Sequence, residues 1–162
     1  MRHTIWIPSL IALEMHAEAD RWFDLETGGS FMGYWANDRE AVITAHIPAG
    51  PDAKRERFRF EPDLQWQQKR IDEHYARAGR LDAYLGDWHT HPRATIAQLS
   101  YTDRACARGI ITASRARQRR PIMMLLTGEG GAWRGTPFIC TLQRKWGFLS
   151  SVDTQEAEFR AF

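Results

Sequence analysis

The stretch Leu85-Gly86-Asp87-Trp88-His89-Thr90-His91-Pro92 is followed, after seven residues, by Ser100-Tyr101-Thr102-Asp103. An apolar run that meets a proline reads as a buried strand, ended by a residue that cannot donate to a ladder. Alternate side chains on a strand share a face, so His89 and His91 project together, about 6.6 Å apart along the backbone. Imidazoles so placed converge on one ion at Zn–N distances of about 2.0–2.1 Å. Ser100-x-x-Asp103 has the form of a capping box, which opens a helix and holds a carboxylate in its first turn. Asp103 is thereby the third candidate ligand. Two neutral nitrogens and one carboxylate leave a fourth position for water, which separates a catalytic zinc site from a structural one. One Zn2+ per chain is expected.

A water activated by zinc still needs a base. Upstream, Leu25-Glu26-Thr27-Gly28-Gly29 supplies Glu26, next to glycines that let the backbone turn tightly and approach the metal. The Ser100 hydroxyl is placed to stabilise an oxyanion. Together these parts describe a metal-assisted amide hydrolase. His-x-His alone, or Ser-x-x-Asp alone, carries far less, since each is common in sites with no metal. Other zinc designs fail on inspection. There is no H-E-x-x-H, and the P-C-x-x-C that a nucleobase deaminase needs is absent. A (β/α)8 barrel needs about 250 residues. His3, His16, His46 and His74 have no metal-like spacing and read as surface or satisfied histidines.

Outward from this centre, patterning predicts strands over 3–7, 30–35, 40–47, 55–60, 82–91, 121–127 and 132–142. Helices are predicted from 9 to about 23, from 62 to about 78 and from 100 to about 117. The first helix is expected to bury Leu10, Leu13 and Ala17. The second is expected to bury Leu64, Gln68, Ile71, Tyr75 and Ala78. Mixed order of this kind makes an α+β sheet covered by helices. Residues 1–145 are expected to form the domain, and 146–162 a C-terminal extension with no assigned structure.

The 162 residues fit one domain, and 43% apolar residues with seven Trp and eight Phe suffice for its core. A formal net charge of +2 argues against a nucleic-acid protein. Cys106 and Cys140 are far apart and read as reduced thiols of a cytoplasmic protein. Residues 5–13 are apolar, but Pro8 and the acids that follow do not suit a signal peptide. No stretch approaches a membrane span. The basic run 115–120 reads as a solvated helix end.

Glu26, His89-Thr90-His91-Pro92 and Ser100-x-x-Asp103 resemble, piece for piece, the JAMM motif of the MPN+ (JAB) metalloprotease family. The wording around them, Glu26-Thr27-Gly28-Gly29 and Trp88-His89-Thr90-His91-Pro92, is similar to stand-alone bacterial members encoded with ubiquitin-like transfer machinery in anti-phage operons, of the CBASS type II or BIL kind. The resemblance implies a JAB/MPN fold, a curved mixed β-sheet flanked by helices and like that of cytidine deaminases. It implies His89, His91 and Asp103 as zinc ligands, Glu26 as general base and Ser100 as oxyanion stabiliser. It also implies cleavage after the C-terminal glycine of a ubiquitin-like protein, with its conjugates as substrates and activating and conjugating enzymes as functional companions. Trp66, set off the apolar stripe of its helix, and Arg93, opening the loop 93–99, are expected substrate contacts. A JAMM peptidase acting on a sulfur-carrier protein, and a non-catalytic MPN scaffold, are the alternatives.

Overall fold

The computed structural model describes residues 2–145, 147 and 149–162; Trp146 and Phe148, in the expected extension, lie outside the described residues. In chain order the elements are β1 (Thr4–Ile7), α1 (Ser9–Arg21), β2 (Gly28–Trp35), β3 (Glu40–Pro48), β4 (Lys54–Glu56), β5 (Arg59–Glu61), α2 (Leu64–Arg77), β6 (Ala83–Pro92) and α3 (Tyr101–Thr112). A 3-10 turn (Ser114–Ala116), β7 (Ile122–Glu129), β8 (Ala132–Lys145), β9 (Leu149–Glu156) and β10 (Glu158–Ala161) complete the chain. Eight strands form one mixed sheet, ordered β10-β1-β3-β2-β6-β7-β8-β9, and β4 with β5 makes a separate hairpin. The architecture is the α+β class expected.

Ala157 alone joins β9 to β10, yet the two stand at opposite ends of the sheet order. Laid flat, eight strands at about 4.8 Å spacing would set the edges about 34 Å apart. The sheet must therefore curl until its edges meet. At the seam Ala157 N–H donates to Pro137 O of β8 at 2.9 Å, and Glu158 N–H donates to His3 O at 2.8 Å. Side chains alternate across β7: Ile122, Met124 and Leu126 pack with Ile11, Met15 and Ala19 of α1. Met123 and Leu125 pack with Ala107 and Ile111 of α3. One helix covers each face, so β7 from Ile122 to Leu126 is an unbroken apolar run, as a strand buried on both sides must be.

Four local expectations change. In α1 the buried row is Ile11, Met15 and Ala19, while Leu10 and Leu13 lie outward. Both rows have helical spacing, and docking on the core selects between them. In α2 Leu64 and Tyr75 are exposed, and Gln67 is the buried residue. That rotation follows from polar anchors, Gln67 Nε2 donating to Pro48 O at 2.9 Å and His74 Nε2 standing 2.9 Å from Asp82 Oδ2. The strand expected over 55–60 is instead a hairpin whose register sets Lys54 opposite Glu61 and Glu56 opposite Arg59, charge pairs that favour it. The third helix ends at Thr112 rather than near 117.

Candidate metal centre

β6 lies between β2 and β7, hydrogen-bonded on both sides, with His89 opposite Gly28 and Leu125 and His91 opposite Thr127. Trp88 packs in the core beneath α1. His89 and His91 therefore face the α3 side, by the two-residue period of the strand. Their Nε2 atoms stand 3.0 Å apart. The turn expected at Gly28-Gly29 is a strand, and the reason for glycine is close passage. A Cβ at Gly28 would lie 2.2 Å from Trp88 O, and one at Gly29 2.5 Å from Ile47 O.

Asp103 comes from the first turn of α3, through the capping box read in the sequence. Ser100 Oγ accepts from Asp103 N–H at 3.1 Å, and Ser100 N–H donates to Asp103 Oδ2 at 2.7 Å. Asp103 Oδ1 then lies 3.0 Å from His89 Nε2, and Oδ2 lies 3.7 Å from His91 Nε2. All three donors fall within 4.8 Å of one another, the single such cluster among the described residues. Tetrahedral coordination at about 2.0–2.2 Å spaces donor atoms about 3.3 Å apart, a value these separations bracket. Three electron-pair donors gathered in a half-buried place repel unless a proton or cation lies among them. The donor set fits a divalent ion.

Glu26 sits in the segment joining α1 to β2, its N–H donating to Glu56 O of β4 at 2.8 Å. Its neighbour Thr27 is fully buried and locked to Thr90. Thr27 N–H donates to Thr90 Oγ1 at 2.9 Å, and Thr90 N–H donates to Thr27 O at 2.8 Å. Thr90 separates the two histidines, so this pair sets Glu26 in register with them. Burial pushes the Glu26 carboxyl up to about 7; the charge of His89 opposes this and that of Asp103 adds to it. For Asp103, burial acts upward, but the hydrogen bond and charge of His89 and the bonds from Ser100 outweigh it. Its carboxyl ends below the usual range. Burial, then the charge of His89, lowers His91. At neutral pH Asp103 is therefore ionised and His91 neutral, the states a metal requires.

The other two expected contacts lie elsewhere. Arg93 directly follows the histidine strand; its Nε is 3.6 Å from Asp24 Oδ2 and its guanidinium 5.1 Å from the Phe23 ring. It thus stands beside the segment that carries Glu26. Trp66 packs in the first turn of α2, under the Arg70 guanidinium at 5.2 Å and against Gly50, where a Cβ would come 3.2 Å from Cε3. Those contacts are with its own helix and the 48–54 loop. Sequence reasoning passed over Asp87, two residues before His89 and on its face, which accepts from Ser30 Oγ at 2.8 Å. The period-two rule alone would have found it. His46, read as surface or satisfied, is buried, and that burial lowers it to about 4.

A family model described as prokaryotic homologs of the JAB domain matches residues 8–136. The chain belongs to this family. JAB membership extends over both histidines, Asp103 and Glu26, since all lie inside the matched span. Similarity reaches a protein of Sinorhizobium fredii (strain NBRC 101917 / NGR234) named probable metalloprotease y4qB, 45% identical over 162 residues, covering 100% of this chain and 99% of that one. It also reaches the CD-NTase/cGAS isopeptidase of Escherichia coli (strain TW11681), 28% identical over 111 residues, 68% of this chain and 66% of that one. The solution structure of protein DSY2949 from Desulfitobacterium hafniense shares the fold, with a TM-score of 0.68 at 18% identity over 98% of this chain and 92% of that one. The sheet curled between helices is thus the JAB/MPN fold.

Proposed function

We propose that this chain is a zinc-dependent peptidase that cuts after the C-terminal glycine of a bacterial ubiquitin-like protein, freeing it from a conjugate or a precursor in anti-phage defence. The observation that carries the reading is the meeting of His89, His91 and Asp103, with Glu26 registered beside them through one pair of threonines. Membership of the JAB family supports metallopeptidase chemistry. The names metalloprotease and isopeptidase borne by two relatives support the class of bond.

His89, His91 and Asp103 would hold the ion. Bound there, zinc supplies Lewis-acid polarisation of the scissile carbonyl and lowers the pKa of a water to about 7. Glu26 takes a proton from the attacking water and returns it to the departing amine, work suited to a positioned carboxylate. Ser100 accepts from Asp103 with a lone pair, so its own O–H stays available to donate to the oxygen that gains charge. An extended Gly-Gly tail is thin enough to lie along a strand edge, and strand addition would align it. Arg93 flanks that approach, and Trp66 is the more distant candidate contact.

The test incubates zinc-loaded protein with a ubiquitin-like protein carrying a C-terminal peptide extension, followed by mass spectrometry. Wild type should release the extension after the terminal glycine, and Glu26→Gln should do so about 10²–10⁴-fold more slowly while keeping its zinc. Equal rates for the two, or no cleavage by wild type, would overturn the reading.

A further inference from the structure

Behind Thr27 lies a closed set of charged contacts that the chemistry above does not use. Arg55, from β4, donates through Nε to Thr27 Oγ1 at 2.9 Å and through a terminal nitrogen to Glu18 Oε1 at 3.2 Å. The Thr27 hydroxyl donates to that same Glu18 oxygen at 3.0 Å, so Arg55, Thr27 and Glu18 form a triangle in which the hydroxyl both accepts and donates. The Arg55 guanidinium also stacks on the Trp22 ring at 4.2 Å. The ion pair is well shielded, its side chains 10% and 20% exposed for Arg55 and Glu18.

We propose that Arg55 and Glu18 are positioning residues for Glu26, acting through Thr27; the proposal rests on the reading of Glu26 as the base. Glu26 is fixed by its two neighbours in space. The carbonyl of Glu56, adjacent to Arg55, takes its N–H, and Thr27 follows it in sequence. Arg55 grips Thr27 from the same short strand, so one docking of β4 sets both points. Thr27 in turn faces Thr90 through its backbone and the triangle through its side chain. A shielded ion pair brings little net stability, since desolvation offsets its attraction, whereas apolar packing would hold a loop as firmly. What the charged triangle adds is direction. The fork of a guanidinium satisfies two acceptors at a fixed angle, which a lysine ammonium cannot reproduce. His89, His91 and Asp103 make none of these bonds, so the metal ligands should be indifferent to their loss.

Four variants, Arg55→Lys, Glu18→Gln, Thr27→Val and Thr27→Ser, test this on the full chain. In zinc-loaded protein acting on the extended ubiquitin-like substrate, the first three should lower kcat about 10–100-fold, because small misplacements of reacting groups cost rates of that order. KM and zinc content should stay unchanged. Thr27→Ser keeps the hydroxyl and should retain wild-type kcat. Placed on Glu26→Gln, Arg55→Lys should cost nothing further, since residues acting through one group are not additive. In metal-free protein, hydrogen exchange of the Glu26 and Thr27 amides should accelerate in the first three variants, while the Asp103 amide, held by Ser100, should not change. Independent losses in the double variant, zinc lost with Arg55, or unaltered exchange at Glu26 and Thr27 would each overturn the proposal. Should wild type cleave nothing, the reading of function falls, and the exchange measurement still decides whether the triangle holds Glu26.

Discussion

In the proposed reaction Glu26 carries two opposing demands, a shielded place beside the reacting atoms and a charge when it must take a proton. Burial lifts its carboxyl from an ordinary value of 4.5 to about 7 in the metal-free protein. The folded state then binds this proton more tightly than the unfolded chain, so the contribution of Glu26 to stability falls as pH rises from 4.5 towards 7. Removing that charge should help at high pH. Metal-free Glu26→Gln should melt above wild type at pH 8 and lose this advantage at pH 4, as thermal denaturation would show. Loading with zinc should move the Glu26 titration down, because a nearby cation favours the carboxylate, and the carboxyl ¹³C shift would follow it. Asp103 has the reverse sign: held below its ordinary 3.8, it stabilises above that pH and loses its contribution as the pH falls further. His89, His91, Asp103 and Ser100 were legible in the chain because a two-residue period and a capping box are local rules. Arg55 and Glu18 were not. Their pairing spans 37 residues and exists only once β4 docks on α1.

Among the elements, α3 shows how a helix start can hold a proposed metal ligand. Its capping box fixes the carboxylate of Asp103 through the Ser100 N–H and leaves the Ser100 hydroxyl with a proton to donate. Ser100→Ala should cost about 1 kcal/mol of stability in urea titrations, the loss of one N-cap bond. It should separately lower kcat by about 10²-fold, as removal of an oxyanion donor does. Ser100→Gly should be milder in stability and equally poor in turnover. The positions of the helices followed from sequence, yet the buried faces of α1 and α2 did not. In α1, Leu10 and Leu13 have the spacing of a core row as much as Ile11 and Met15 do, and nothing local tells them apart. In α2, Gln67 anchors the helix to Pro48 O, and an apolar count ranks such a residue low. The hairpin β4–β5 turns at Arg57 and Phe58, with no glycine or asparagine to announce it.

On the scale of the whole molecule, the final strands close the curl. β9 pairs with β8, β10 pairs with β1, and Ala157 bridges the two edges. From Ser150 to Glu156 β9 has one apolar residue, Val152, and β10 is only four residues long, so neither shows a legible strand pattern. A chain ending at residue 148 should expose unpaired edges on β1 and β8 and aggregate, visible as light scattering with loss of cooperative melting. No helix among the described residues is long and apolar enough to cross a membrane. The centre depends on this closure only through the rigidity it lends β6, β7 and α3, so its metal chemistry can be tested directly on the intact chain. Zinc titration with X-ray absorption on wild type and His89→Ala is the decisive measurement. One zinc per chain, bound by nitrogen and oxygen at about 2.0–2.2 Å and lost in the variant, is the predicted result. A full load of zinc in His89→Ala, or sulfur in the coordination shell, would contradict the assignment of His89, His91 and Asp103.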